Sequence, residues 1–553
     1  MNCLQRPPVF LFVLCCLFGL VSSPARAQQA EYAVRGWHLL DYRDDRLFGA
    51  GVTKAYNELL KGRKSHPVVV AIIDDGIDTA HEDLKGHIWT NKKEIPGNGL
   101  DDDHNGYVDD VHGWNFLGGK DGRNIDFESY ESYREYYRLN HLPPGSVEDS
   151  SYGYRLRVER GFLKDSIRQA RTVSSVEMMI PVIEATDSLL KKELHKDSVN
   201  ARDLQAMEPT DSAIAAVRAE ALQYYWKYGM SYDMPLIAFI GEAKKYLAEA
   251  RQGLARFSGD PNAERRDIVK DDFDDINDRG YGNNNIAAGA PMHGTHVAGI
   301  IAASRNNGLG VDGIADKVLI MPVRAVPVGD ERDKDIALAI RYAVDNGAQI
   351  INLSFGKYFS PGRLWVDEAE QYAEDHDVLL VHAAGNDALD IDTIPYFPAQ
   401  HVTDQIASCF LTVAASTPGP DSLVVARYTN YGLASVSLFA PGVKIYSTLP
   451  GNRYETYSGT SMAAPMVCGV AALLLEYYPK LSAKQLKYVI THSVMPLPNP
   501  EVRLASTGKM VNFSSLSVSG GIVNAYNAFK LAANLKGERK KPVYYSRVYR
   551  HRD

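Results

Sequence analysis

The stretch "VVVAIIDDGID" (Val68–Asp78) runs six apolar residues straight into two adjacent aspartates and a glycine. An unbroken run rich in Val and Ile suits a strand buried on both faces of a parallel sheet. Its abrupt end on paired acids raises the question whether either is catalytic. Working outward, "PVVVAII" (67–73), "KVLIMPVRAV" (317–326), "AQIINLSF" (348–355), "DVLLVHAA" (377–384) and "FLTVAAS" (410–416) are runs of the same kind. Helical patterns lie between them. In "DKDIALAIRYAVDNG" (333–347), Ile336, Ala339, Ile340, Ala343 and Val344 share one face and Gly347 supplies a natural cap. This alternation predicts an α/β fold: a three-layer, doubly wound, mostly parallel sheet flanked by helices.

Residues 121–270 follow another pattern. "TDSAIAAVRAEALQYYWKYG" opens with possible caps at Thr210 and Asp211 and sets Ile214, Val217, Ala221, Tyr224, Tyr225 and Tyr228 at helical spacing. "IGEAKKYLAEARQGLARF" (240–257) is a second amphipathic helix, and "ESYESYREYYRLN" (128–140) places Tyr130, Tyr133 and Tyr137 on one side. These stripes read as packing faces, so 121–270 is expected to be a large helical insertion. The remaining α/β domain is then 28–120 together with 271–535, followed by a basic, solvated tail (536–553).

The 553 residues are 45% hydrophobic, and 60 basic against 68 acidic residues give a net charge of -8. So mild an imbalance offers no electrostatic argument for nucleic acid. Arg6, the apolar run Val9 to Val21 and "ARA" (Ala25–Ala27) form the charged region, apolar region and cleavage site of a signal peptide over 1–27. Export to a periplasm, cell surface or medium is therefore expected. The run is too short to span a bilayer comfortably, and no later stretch reads as long and apolar enough to be a transmembrane helix. Cys3, Cys15 and Cys16 leave with the leader. Cys409 and Cys468 sit in apolar surroundings and read as buried thiols, with one disulfide left open.

Three segments far apart in sequence carry the chemistry: Asp74-Asp75-Gly76, "HGTHVAGIIAAS" (293–304) and "YSGTSMAAPMVCGVAALLL" (457–475). Acyl transfer needs a nucleophile, a base to deprotonate it and a carboxylate to orient the base. Ser461 follows a tight Gly-Thr approach and opens an apolar helix, whose N-terminal amides favour negative charge beside it. Pro465 is expected in the first turn of that helix. Alone, each segment has an ordinary structural explanation, and the argument rests on their joint occurrence. The histidines of H-G-T-H do not suit a zinc site of the kind that spaces its ligands at i and i+4 around a glutamate base.

D-x-G, then H-G-T-H-V-A-G, then G-T-S-M-A-A-P, in that order, resembles the subtilisin-like serine proteases, or subtilases. The order Asp, His, Ser separates it from chymotrypsin-like and α/β-hydrolase arrangements. The resemblance covers most of 36–120 and 271–535 and ends in "SGGIVNAYNAFKLA" (519–532), which is similar to the last turn and helix of a subtilase domain. It implies a secreted serine endopeptidase acting on proteins or peptides. Asp74 would be the triad carboxylate, His293 the base, Ser461 the nucleophile and Asn386, in "VHAAGND" (381–387), an oxyanion donor. Ser354, Phe355 and Gly356 would form one wall of the primary specificity pocket and Ala383, Ala384 and Gly385 the other, although a plain core strand also explains Phe355.

The resemblance further implies structural Ca²⁺, with Asp83 and the loop "NNGLGV" (306–311) supplying ligands through Asn307, Leu309 and Val311. Independently, Asp101, Asp103, Asn105, Gly106 and Asp109 follow positions 1, 3, 5, 6 and 9 of an EF-hand-type loop. Position 12 is His112 rather than the bidentate Glu, so a plain acidic turn competes with this reading.

Two departures stand out. Asp74 and His293 are 219 positions apart, far more than the family's usual gap. In addition, a standard folding-assisting pro-domain does not fit within Gln28 to Asp74. Folding without one, or assisted by the insertion, is expected. Two alternatives remain beside a general endopeptidase: a selective processing subtilase, since kexin-like members also carry an aspartate at the Asp75 position, and an inactive binding scaffold. The oligomeric state is open.

Overall fold

In the computed structural model, the described residues are 35–142, 152–227, 232–399, 401–402, 405–419 and 421–539. The expected leader (1–27), Tyr228 and tail residues 540–553 lie outside them.

Seven strands form one sheet: β1 (Val68–Asp74), β2 (Trp114–Asn115), β3 (Val318–Arg324), β4 (Ile350–Leu353), β5 (Leu379–Ala383), β6 (Phe410–Ser416) and β7 (Leu438–Pro441). Their order is β2-β3-β1-β4-β5-β6-β7, and every pairing is parallel. The register sets Asp74 opposite Arg324 and Val70 opposite Ile350. From β1 the chain adds β3 on one side and then β4 on the other. The winding direction therefore reverses at β1, which opens a crevice at the carboxyl ends of β1 and β4.

Alternate side chains explain why these strands read as unbroken apolar runs. Val68, Val70 and Ile72 enter one core, packed under the helices Met292–Ala302 and Thr460–Tyr477. Ala71 and Ile73 enter a second core, under the helices Asp333–Asp345 and Arg363–Asp375. Helix Asp333–Asp345 ends as expected: Gly347 takes φ +86°, its N–H reaches Val344 O and the Ala348 N–H reaches Ala343 O. Only a residue at ease with positive φ closes a helix in this way.

Among the described residues, segment 121–270 contains the helices α1 (Glu131–Asn140), α2 (Tyr152–Leu194), α3 (Ala201–Ala206), α4 (Ser212–Lys227), α5 (Leu236–Ala255) and α6 (Ala263–Ile268). Later helices continue this numbering as α7 (Met292–Ala302), α8 (Asp333–Asp345), α9 (Arg363–Asp375) and α10 (Thr460–Tyr477). Ile180, Ile183, Leu204, Ile214, Tyr225 and Ile240 are members of a separate core inside the segment. The tyrosine stripe at α1 makes packing contacts: Tyr130 stacks on Phe257 at 5.2 Å, and the Tyr133 ring lies 5.6 Å from Phe162 and 6.3 Å from Tyr137. Asp211 caps α4 by accepting from the N–H groups of Ala213 and Ile214.

A buried ionic seam joins this segment to the sheet domain. Arg265, on α6 and fully buried, donates to Asp271 at 2.8 Å and to Asp335 of α8 at 2.7 Å. Lys357 contacts Glu131 of α1 at 2.7 Å and Asp333 at 2.9 Å, and Arg332 pairs with Glu128 at 2.9 Å.

Two expectations need correcting. Helix α10 is long and apolar enough to cross a membrane, yet it is buried almost throughout and forms the centre of the fold. The tail does not begin as a solvated end either. The Arg539 N–H donates to Lys480 O at 2.8 Å and its Nε to Leu481 O at 2.8 Å, while its guanidinium lies 3.5 Å from Asp377. Cys409 and Cys468 are both free and buried.

Candidate active site

Asp74 ends β1, and its buried Oδ1 lies 2.7 Å from His293 Nδ1. His293 is the second residue of α7. The tip of that helix is capped from outside: Asp75 accepts from the His293 N–H at 3.1 Å and from the Gly294 N–H at 2.7 Å. The two acids are thus divided by geometry, Asp74 facing the imidazole and Asp75 the helix amides, where a negative charge is favoured. Gly294 must be glycine, because a Cβ there would lie 2.1 Å from Gly76 O.

Burial opposes charging of His293. The adjacent Asp74 carboxylate, with Asp75 behind it, outweighs burial and pushes the imidazole up to about 9. Asp75 is pushed up to about 7, by burial first and the Asp74 charge second, with the two helix N–H groups acting in the other direction. His296 faces away from both acids. Its Nε2 sits 3.1 Å from Ile445 O and 3.2 Å from Glu455 O, its ring stacks on Tyr457, and burial lowers it to about 3, so it stays neutral.

Ser461 is the second residue of α10, which packs against α7. Pro465 is the sixth residue of α10, beyond the expected first turn. Proline has no N–H for the carbonyl four positions back, here that of Ser461. Ser354 Oγ takes that place, donating to Ser461 O at 2.9 Å. Ser461 Oγ donates in return to Ser354 O at 3.0 Å. Among the described residues, no hydrogen bond joins Ser461 Oγ to His293. Such links often tighten only when substrate binds.

Asn386 follows β5. Its Oδ1 accepts from the Thr460 N–H at 2.9 Å and from Thr460 Oγ1 at 3.1 Å. With Oδ1 turned to Thr460, the amide nitrogen points away from it. The Gly385 N–H donates to Thr460 Oγ1 at 3.1 Å. Buried Asn430 holds the loop from behind, donating to Ala384 O at 2.8 Å and accepting from the N–H groups of Asp387 and Leu389. Sequence reasoning passed over Asn430, because an asparagine in "RYTNYG" carries no local signal.

Ser354, Phe355 and Gly356 continue β4, and Ala383, Ala384 and Gly385 end or continue β5, so the expected walls are adjacent. The Phe355 ring belongs to the second core, and its carbonyl accepts from His382 Nε2 at 2.8 Å. Phe355 therefore lends the cleft no side chain.

Of the residues expected to hold calcium, Asp83 is fully buried, with Oδ1 2.6 Å from the Asn307 amide and Oδ2 3.4 Å from the Val311 N–H. The Asn307 Oδ1 accepts from the Leu309 N–H, so Asp83 meets the loop that carries the other three residues. Among the described residues Asp83 has no ion-pair partner. A buried carboxylate in this state suits a hard cation. The EF-hand-type register is present at its start, where Asp101 accepts from the N–H groups of Asn105 and Gly106 and Asp103 from that of Asn105, and is lost further on. Asp109 turns away to accept from the N–H groups of Gly97, Asn98 and Gly99, Asn105 reaches Asp110, and His112 reaches Trp89 O. Glu94, from outside the loop, joins Asp101 and Asp103 instead, with ligand atoms all within 4.8 Å of one another. Glu94 is 6% exposed, and its buried Oε2 has no hydrogen-bond partner among the described residues. The donor set fits Ca²⁺.

The subtilase family model matches residues 65–515, and the chain belongs to the subtilase family. It is 42% identical over 183 residues to the thermophilic serine proteinase of Bacillus sp. strain AK1, covering 33% of this chain and 42% of that one. It is 40% identical over 183 residues to thermitase of Thermoactinomyces vulgaris, covering 33% and 60%. The chain thus spans about half the length of these relatives. A solved structure of proteases from Pseudoalteromonas arctica is 19% identical over 90% of this chain and 96% of that one, with a TM-score of 0.46.

Proposed function

We propose that this protein is an exported serine endopeptidase that hydrolyses peptide bonds through Asp74, His293 and Ser461. The observation that carries the proposal is the short contact between His293 Nδ1 and buried Asp74, at the tip of a helix packed against the one that opens on Ser461. Ser461 Oγ attacks the peptide carbonyl while His293 Nε2 takes its proton. The proton then passes to the leaving amine, and an acyl-enzyme forms that water hydrolyses by the reverse roles. Asp74 holds the tautomer that leaves Nε2 free. The Asn386 amide and the Ser461 N–H, at the positive end of α10, face the oxyanion. Main-chain pairing along residues 354–356 accepts an extended peptide of varied sequence.

The test is fluorophosphonate labelling and casein hydrolysis by residues 28–553, compared with Ser461→Ala and Asp74→Asn. Labelling at Ser461 with turnover lost in both variants is expected. A folded wild type that is neither labelled nor active would point to the scaffold reading.

Calcium serves stability in this reading. Asp83, Asn307 and the carbonyls of Leu309 and Val311 would hold one ion, and Glu94, Asp101 and Asp103 another. A chelator should lower the melting temperature, calcium should restore it, and Glu94→Gln should reduce the calcium-dependent part. A melting temperature indifferent to chelation would overturn this assignment.

A further inference from the structure

One aromatic ring lies against both glycines of the expected pocket walls beside Ser461. Residues 354–356 and 383–385 flank the nucleophile: Ser461 Oγ bonds Ser354 O on one side, and Thr460 bonds the Gly385 N–H on the other. A substrate side chain preceding the scissile carbonyl must enter between these walls, where Gly356 and Gly385 keep the backbone bare. A carbon added at Gly356 would lie 2.6 Å from Tyr396 Cε1 and 2.7 Å from Tyr396 Cζ. One added at Gly385 would lie 2.9 Å from the same Cζ and 3.1 Å from the same Cε1. One edge of one ring therefore touches both glycine walls.

The ring is held in place. It stacks on His382 at 5.6 Å and lies 5.1 Å from the Tyr358 ring. Its neighbour Phe397 exchanges two backbone hydrogen bonds with Lys357, 3.0 and 2.8 Å long. Lys357 is in turn fixed by the ionic seam. At the rim, Tyr358 Oη donates to Asp387 Oδ2 at 2.5 Å, and Arg168 of α2 lies 3.6 Å from Asp387.

We propose that Tyr396 is a specificity-determining residue that closes the primary pocket, so that the enzyme cleaves after small side chains such as Gly, Ala or Ser. This rests on the protease reading above. A Leu or Phe side chain would have to displace a packed ring, and protein interiors resist such overfilling.

The test uses tetrapeptide p-nitroanilides that differ only in the last residue. For the wild type, kcat/KM for Ala should exceed that for Phe by at least about tenfold, within the range one pocket group confers. Tyr396→Ala should shift the Phe-to-Ala ratio toward Phe by about tenfold or more, whereas Tyr396→Phe, which keeps the ring, should preserve the wild-type profile. Wild-type preference for Phe or Leu would overturn the proposal even if Tyr396→Ala failed to fold. An unchanged ratio in a folded Tyr396→Ala would also overturn it. Ser461 labelling by a fluorophosphonate runs in parallel. Labelling with the wrong side-chain preference rejects the pocket assignment alone, and loss of both labelling and all cleavage rejects the protease reading and this one with it.

Discussion

The sheet domain and the helical segment 121–270 are held together by opposite means. The sheet buries apolar side chains on both faces, and the acids of its site sit at the carboxyl end of β1, where each meets a defined partner. The segment has a smaller core of its own, and what fastens it to the sheet is charge: Arg265 between Asp271 and Asp335, and Lys357 between Glu131 and Asp333. Buried ion pairs add little net stability over a well-packed apolar substitute, but removing one partner strands the other without solvent. Charge in the first region is gathered around one histidine and one helix tip. In the second it makes attachment specific and costly to break.

The largest effect that would sharpen this contrast lies in the sheet domain. Ser461→Ala should lower kcat on the order of 10⁶-fold and Asp74→Asn on the order of 10⁴-fold, sizes known for matching groups of subtilisin and other triad proteases. Thermal unfolding should stay near wild type in both. Asn386→Leu should lower kcat about 10²–10³-fold, again the size known for subtilisin's own oxyanion asparagine, with KM little changed.

At the seam the order of effects reverses. Arg265→Met should cost about 3–5 kcal/mol of stability in urea unfolding, while the folded fraction keeps its kcat. Unchanged stability would mean that the seam is held by packing rather than charge. Deleting 125–268 removes Glu128, Glu131 and Arg265 together, leaving Arg332, Lys357 and Asp335 short of partners. That variant is expected to express poorly.

The smallest effect is a shift in pH dependence. The base must be neutral to accept a proton, so the rate rises with pH through the His293 pKa, pushed up to about 9. Removing the Asp75 charge lowers that pKa, and Asp75→Asn should move the acid limb of kcat/KM down by about one pH unit. The same raised pKa stabilises the fold below the unfolded value of about 6.5, a contribution lost as pH rises through about 9. Asp75→Asn should therefore flatten the alkaline part of the stability profile. An unmoved acid limb would show that Asp75 acts on helix α7 alone.

Much of this was legible in the chain. The Val/Ile runs that became β1, β3, β4, β5 and β6 are apolar at every position because both faces are covered, and a two-faced requirement leaves a mark at each residue. The positions proposed as the triad stood out because their motifs are contiguous. The second acidic loop was legible only in part: Asp101 and Asp103 converge, but an EF-hand spacing counts residues along one loop whereas Glu94 arrives from outside it. Asn430 and Tyr396 left no local mark, since each acts on backbone distant in sequence. The fate of the basic tail and the position of Pro465 within its helix were likewise set by what lies opposite them.

The sequence by itself determined the parallel α/β class, the helical character of 121–270 and the three segments whose residue types suit acyl transfer, because local periodicity and contiguous motifs record them. Only the tertiary structure set Asp75 against the helix amides of His293 and Gly294, brought Glu94 to Asp101 and Asp103, showed Ser354 taking the hydrogen bond that Pro465 cannot make, and laid the Tyr396 ring between Gly356 and Gly385. Each of those outcomes depends on which groups converge after the chain has folded, and convergence across tens or hundreds of residues leaves no period in the sequence to read.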